Sequence, residues 1–138
     1  MNILSLLKHK SCVAYLYDDN TIRQGLEKIR FHGYTAIPVI SRDGTYIGTV
    51  SEGDFLWHYI SNNISDMHQN EDFFIRDIIR HGWNPPAKIT IQINELLMIA
   101  MDQNFVPMID DRGTFIGIIT RKDIIKCFYD LKQQDSDK

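Results

Sequence analysis

Tyr34-Thr35-Ala36-Ile37-Pro38-Val39-Ile40-Ser41-Arg42-Asp43-Gly44-Thr45-Tyr46-Ile47-Gly48-Thr49-Val50-Ser51-Glu52-Gly53-Asp54-Phe55 is answered later in the chain by Gln103-Asn104-Phe105-Val106-Pro107-Met108-Ile109-Asp110-Asp111-Arg112-Gly113-Thr114-Phe115-Ile116-Gly117-Ile118-Ile119-Thr120-Arg121-Lys122-Asp123-Ile124. Pro38 and Pro107 fall in register, as do Gly44 with Gly113, Gly48 with Gly117, Ser51 with Thr120 and Asp54 with Asp123. The apolar alternation between them matches too. An internal repeat of this kind governs every later inference about the fold.

Each copy reads as a strand, a turn at Asp43-Gly44 or Arg112-Gly113, a second strand and a helix. Glycine in the turn suits a hairpin. The prolines fall near strand starts, where a missing N–H costs least. The closing helices carry their apolar residues alike, Phe55, Leu56, Tyr59 and Ile60 against Ile124, Ile125, Phe128 and Tyr129, which predicts one buried stripe on each.

Working outward, an earlier helix also occurs twice. Thr21 to Phe31 places Ile22, Leu26 and Ile29 on one face, with Asn20 or Thr21 as cap, and Asn94 to Met101 does so with Leu96, Ile99 and Ala100. Extended segments precede both, at Val13 to Tyr17 and Ala87 to Ile93. A short amphipathic helix is predicted to open each copy, around Ile3 to Leu7 and Phe73 to Arg80, with His9 and His81 at equivalent positions that suggest a shared helix-end role. Each copy therefore runs helix, strand, helix, strand, strand, helix. The expectation is a mixed α/β (α+β) fold with repeats at 1–62 and 71–132. The polar stretch Ser61 to Asn70 is the best linker, and Asn84-Pro85-Pro86 breaks the second opening helix from its strand.

With 138 residues, 43% of them hydrophobic, the chain suffices for one ordinary domain or two very small ones packed together. A net charge of −3 and a pI of about 5.9 favour neither nucleic acid nor an anionic membrane as partner. Met1 to Leu7 has too short an apolar run for a signal peptide, and no stretch approaches the ~20 apolar residues of a membrane span. Cys12 and Cys127 lack metal-ligand or redox spacing and read as reduced packing thiols, consistent with a cytoplasmic location.

The chemistry lies in Gly48-Thr49-Val50-Ser51-Glu52-Gly53-Asp54 and Gly117-Ile118-Ile119-Thr120-Arg121-Lys122-Asp123, the pattern Gly-x-x-Ser/Thr-x-x-Asp where a strand gives way to a helix. Its plainest role is helix capping. The same geometry can hold a ligand, because a helix N-terminus offers free N–H groups and the positive end of a dipole. A phosphate can sit there beside the hydroxyl, while a carboxylate one turn in can accept from a ribose diol. Capping and binding do not exclude each other.

Two copies of a unit of roughly sixty residues, with this motif doubled, resemble a stand-alone pair of CBS (cystathionine-β-synthase-type) domains over nearly the whole chain. The resemblance implies repeats related by a pseudo-two-fold axis, with two clefts between them. It implies an adenine nucleotide as regulatory ligand there: AMP, ADP, ATP, S-adenosylmethionine or cyclic di-AMP. Asp54 and Asp123 would meet ribose hydroxyls, and Ser51 and Thr120 phosphate or ribose. Ala36, Ile37 and Pro38, with Phe105, Val106 and Pro107, would flank the adenine; the segments of Ala14 and Lys88 would close the clefts. It further implies a homodimer formed through helices, with Trp57 the best interface candidate, and an output carried by an unidentified effector protein.

The copies differ in charge. Glu52-Gly53 stands where the second copy has Arg121-Lys122, which predicts the better anion site around Thr120 and Asp123, unless those cations merely mark a solvated helix start. No His, Cys or carboxylate cluster has metal-ligand spacing, and there is no Walker loop, no Gly-x-Gly-x-x-Gly and no nucleophile elbow. A catalytic role is therefore not expected. The competing reading is a ligand-free scaffold that keeps the motif for capping and docks a partner through its aromatic surface.

Overall fold

The computed structural model describes residues 2–63 and 71–136. Four α-helices and seven strands are described: β1 (Lys8–His9), β2 (Leu16–Tyr17), α1 (Ile22–His32), β3 (Ala36–Ile40), β4 (Tyr46–Ser51), α2 (Glu52–Asn62), β5 (Ala87–Lys88), α3 (Ile93–Ala100), β6 (Phe105–Ile109), β7 (Phe115–Thr120) and α4 (Arg121–Ser136). The fold is the expected mixed α/β one. The linker proposed at Ser61 to Asn70 falls for the most part outside the described residues; Ser61 and Asn62 close α2, and Asn63 caps it in the left-handed conformation.

The chain forms two compact units that cut across the sequence repeats. One is discontinuous, Met1–Val13 with Asn84–Lys138; the other is continuous, Ala14–Trp83. Each sheet is thus built around one repeat, and each unit takes the opening segment of the other repeat.

In the continuous unit the strand order is β2-β3-β4, with β2 parallel to β3 and β3 antiparallel to β4. Leu16, Ile22, Ile37, Val39, Val50 and Phe55 form its core, joined by Ile75 from the second repeat's opening segment. Fully burying such a side chain is worth about 1.5–3 kcal/mol. Gly25 lets α1 approach this core: a Cβ there would lie 2.6 Å from Ile75 Cδ1.

In the discontinuous unit the order is β1-β7-β6-β5. Its core gathers Leu96, Ala100, Val106, Met108, Ile119 and Ile124, with Ile3 from the first repeat's opening segment. The hairpin turns form as the sequence predicts. Ser41 N–H donates to the Thr45 carbonyl at 2.8 Å and Asp110 N–H to that of Thr114 at 3.1 Å. Gly44 and Gly113 supply the required positive φ, 94° and 83°.

The opening helices differ from expectation. Each is a single 3-10 turn, Ile3–Leu6 and Ile75–Asp77. In the first case the chain must extend at once to pair Lys8 and His9 with Ile118 and Gly117. In the second, Ile75 and Arg76 N–H groups donate to the Asn20 and Asp18 carbonyls, so they cannot serve an α-helical ladder. Nor is the apolar stripe of each closing helix wholly buried. Phe55 and Ile124 are buried, whereas Leu56, Ile60, Ile125 and Tyr129 are more than half exposed.

Candidate functional site

The two Ser/Thr-x-x-Asp segments open α2 and α4, where the strand-to-helix switch was read. At α2 the arrangement is a complete capping box. Ser51 Oγ accepts from the Asp54 amide at 3.4 Å, and Asp54 Oδ2 accepts from Ser51 N–H at 2.8 Å and from Ser51 Oγ at 3.1 Å. The other carboxylate oxygen, Oδ1, accepts from Arg80 Nε at 2.7 Å. Asp54 is 8% exposed, so its charge is neutralised where water cannot do so. The Arg80 guanidinium also reaches Ser51 Oγ at 3.4 Å and lies 4.1 Å from the Trp83 ring centre, a cation–π distance.

At α4, Thr120 Oγ1 accepts from the Asp123 amide at 3.2 Å. The Asp123 carboxylate is a third exposed and has Lys8 Nζ at 3.9 Å; among the described residues no hydrogen bond reaches it. Asp123 lies on the wall of a groove of about 530 Å³, lined also by Ser5, Lys8, Lys126 and Cys127. Burial pushes the Cys127 thiol above its usual pKa, with Asp130 adding to the shift, so this thiol stays protonated in its groove.

Arg121, expected to add charge at the α4 start, turns its guanidinium to the end of α3. Its Nε donates to the Ala100 carbonyl at 2.6 Å and to that of Gln103 at 3.2 Å, and Nη2 reaches Met101 O at 3.4 Å. It closes the C-terminal end of α3, where carbonyls lack helical partners and a cation is favoured. Lys122 alone of the pair remains exposed.

The remaining expected residues flank these helix starts within their own units. Ala36, Ile37 and Pro38 begin β3, with Ala36 opposite Ser51 in register. Phe105, Val106 and Pro107 begin β6, with Phe105 opposite Thr120. Ile37, Pro38, Val106 and Pro107 are buried, while Ala36 and Phe105 are half-buried. Ala14 is buried ahead of β2, and Lys88 is exposed on β5.

Sequence reasoning missed Lys8 and Arg80. Both follow the matched opening segments, Leu6-Leu7 and Ile78-Ile79, and both precede a histidine, so they occupy one repeat position. A basic residue recurring there, opposite an acid recurring in the closing helix, was the available signal. The histidines themselves, His9 and His81, are both exposed.

The CBS domain family matches residues 9–61 and 75–130, and the chain belongs to that family. Among curated relatives, the uncharacterized protein MJ1426 of Methanocaldococcus jannaschii is 24% identical, over 80% of this chain and 83% of its own length. The crystal structure of CbpB in complex with c-di-AMP shares the fold with a TM-score of 0.89 at 23% identity, covering 99% of this chain and 90% of the other. CBSX2 in complex with AMP has a TM-score of 0.76 at 16% identity, covering 95% and 98%. Among the described residues, no helix is long and apolar enough to cross a membrane, and no His, Cys and carboxylate cluster could hold a metal.

Proposed function

We propose that the chain is a regulatory module that senses an adenine nucleotide, AMP, ADP, ATP, S-adenosylmethionine or cyclic di-AMP, and signals through a partner protein. The observation that carries this reading is a duplicated helix start with a hydroxyl and a carboxylate one turn apart, in a family with structural neighbours solved with AMP and with c-di-AMP. The candidates for ribose hydroxyls are Asp54 and Asp123, and the candidates for phosphate or ribose are Ser51 and Thr120. Backbone groups of Ala36–Pro38 and Phe105–Pro107 recognise the adenine, Ala14 and Lys88 lie at the edges of the ligand, and Lys122 adds charge near the phosphate. Ligand binding shifts the population between arrangements of the protein, which the partner reads. The reading includes no catalytic step. It places the protein in the cytoplasm, in keeping with two unbridged cysteines.

Thermal unfolding with each of the five nucleotides tests the reading. A ligand at a hundredfold excess over its Kd stabilises the folded form by about 2.7 kcal/mol, seen as a raised melting temperature. Failure of all five to move the transition would favour the scaffold reading, which the exposed Leu56, Trp57 and Ile60 on α2 support as a docking face.

A further inference from the structure

Resting on the nucleotide-sensing reading, we infer that Arg80 occupies the first of the two helix starts from within the chain, so that Asp123 rather than Asp54 accepts the ligand's ribose. A diol needs a carboxylate with open lone pairs. A carboxylate has about four such positions. Three of those on Asp54 are filled, by Ser51 N–H, Ser51 Oγ and Arg80 Nε, and its side chain is 7% exposed.

The Arg80 contact is a built one. Its guanidinium lies over Trp83, and the segment that carries it is tied down by Ile75 and Arg76 N–H donation to Asn20 and Asp18 and by the fully buried Ile75. At the equivalent repeat position stands Lys8. Its side chain is 54% exposed, much as that of Arg80 is at 51%, but its ammonium lies 3.9 Å from Asp123 and makes no hydrogen bond to it. A lysine is a point charge on a flexible stem, whereas arginine locks a carboxylate with directed donors. The same sequence position thus seals one grip and leaves the other open to its groove, whose wall carries Lys8 and Lys126 beside Asp123 and Asp130.

The test is calorimetric titration of the full chain with AMP and with cyclic di-AMP, each variant checked for an intact thermal transition. The native protein should take up about one AMP per chain. Arg80→Met and Arg80→Lys should each add a second AMP, and Asp54→Asn in the Arg80→Met background should remove that addition. Asp123→Asn should weaken the native site at least tenfold, and Lys8→Arg should weaken it in the same sense. Two AMP per chain in the native protein, an unchanged count in both Arg80 variants, or a native site that survives Asp123→Asn overturns the inference while leaving nucleotide sensing intact. Absence of AMP binding by every form overturns the inference, and it overturns the sensing reading as well when none of the five nucleotides shifts the melting transition.

Discussion

Gly117 shows how closely a single residue can be tied to its surroundings. Its φ is +152°, and a Cβ built on it would lie 2.1 Å from the Lys8 carbonyl oxygen, because β1 crosses there to pair with β7. Neither atom belongs to a flexible side chain, so relief requires β1 to move. Gly117→Ala should lower stability by about 1–3 kcal/mol, read as a fall in the midpoint of denaturant unfolding. It should also expose the Lys8 and His9 amides to hydrogen exchange. Gly48 occupies the same repeat position, but a Cβ there meets only the Ile79 Cγ2 methyl, at 2.8 Å. Gly48→Ala should therefore cost less. The glycine pair was legible in the sequence as a repeat feature. Its unequal strictness was not, because it depends on whether backbone or a side-chain tip lies opposite. Lys8 and Arg80 escaped notice for a related reason: each meets an acid carried by the other repeat, and no periodicity within one copy reports such a contact.

Among the elements, those with local instructions were read well. The α1 helix starts where Thr21 and Gln24 form a capping box and stops at Gly33 in the left-handed conformation, close to the predicted span. The opening helices were not legible, because strand pairing of Lys8 and His9 cuts the first short and distant carbonyls claim the Ile75 and Arg76 amides of the second. The stripe on α2 was drawn too wide. Phe55 and Leu56 are successive residues, about 100° apart around a helix, and only the face that carries Phe55 and His58 is buried. The α3 helix ends in a way its own sequence does not announce, since its last carbonyls are closed by Arg121 from the start of α4. Arg121→Met should destabilise the protein by about 1–2 kcal/mol. It should raise exchange at residues 99–103 while sparing the α4 start. If the variant instead lost nucleotide affinity with no change in unfolding, Arg121 would belong to the binding machinery rather than to α3.

For the molecule as a whole, the outward residues of the closing helices matter most. Trp57 is 65% exposed, with Leu56 and Ile60 beside it on α2, and α4 shows Ile125 and Tyr129 in the same manner. Apolar and aromatic groups of this kind mark interfaces. Sedimentation at micromolar concentration should return a species about twice the 16.1 kDa chain mass, and Trp57→Glu should reduce it to the chain mass. A native protein that sediments at the single-chain mass would rule out the homodimer that the family resemblance implies.

The traffic of opening segments between repeats also sets an order of events as the protein is made. Residues 14–83 can close their hydrophobic centre once Ile75 has left the ribosome, whereas Ile3 and the Lys8–His9 ribbon must wait for β7, the last of the described strands. Partners so far apart in sequence meet slowly, because a long loop must be closed before any contact repays the entropy. Until then Ile3, Leu6 and Leu7 travel uncovered, and this segment is the one that waits longest for its apolar partners and has most need of a chaperone.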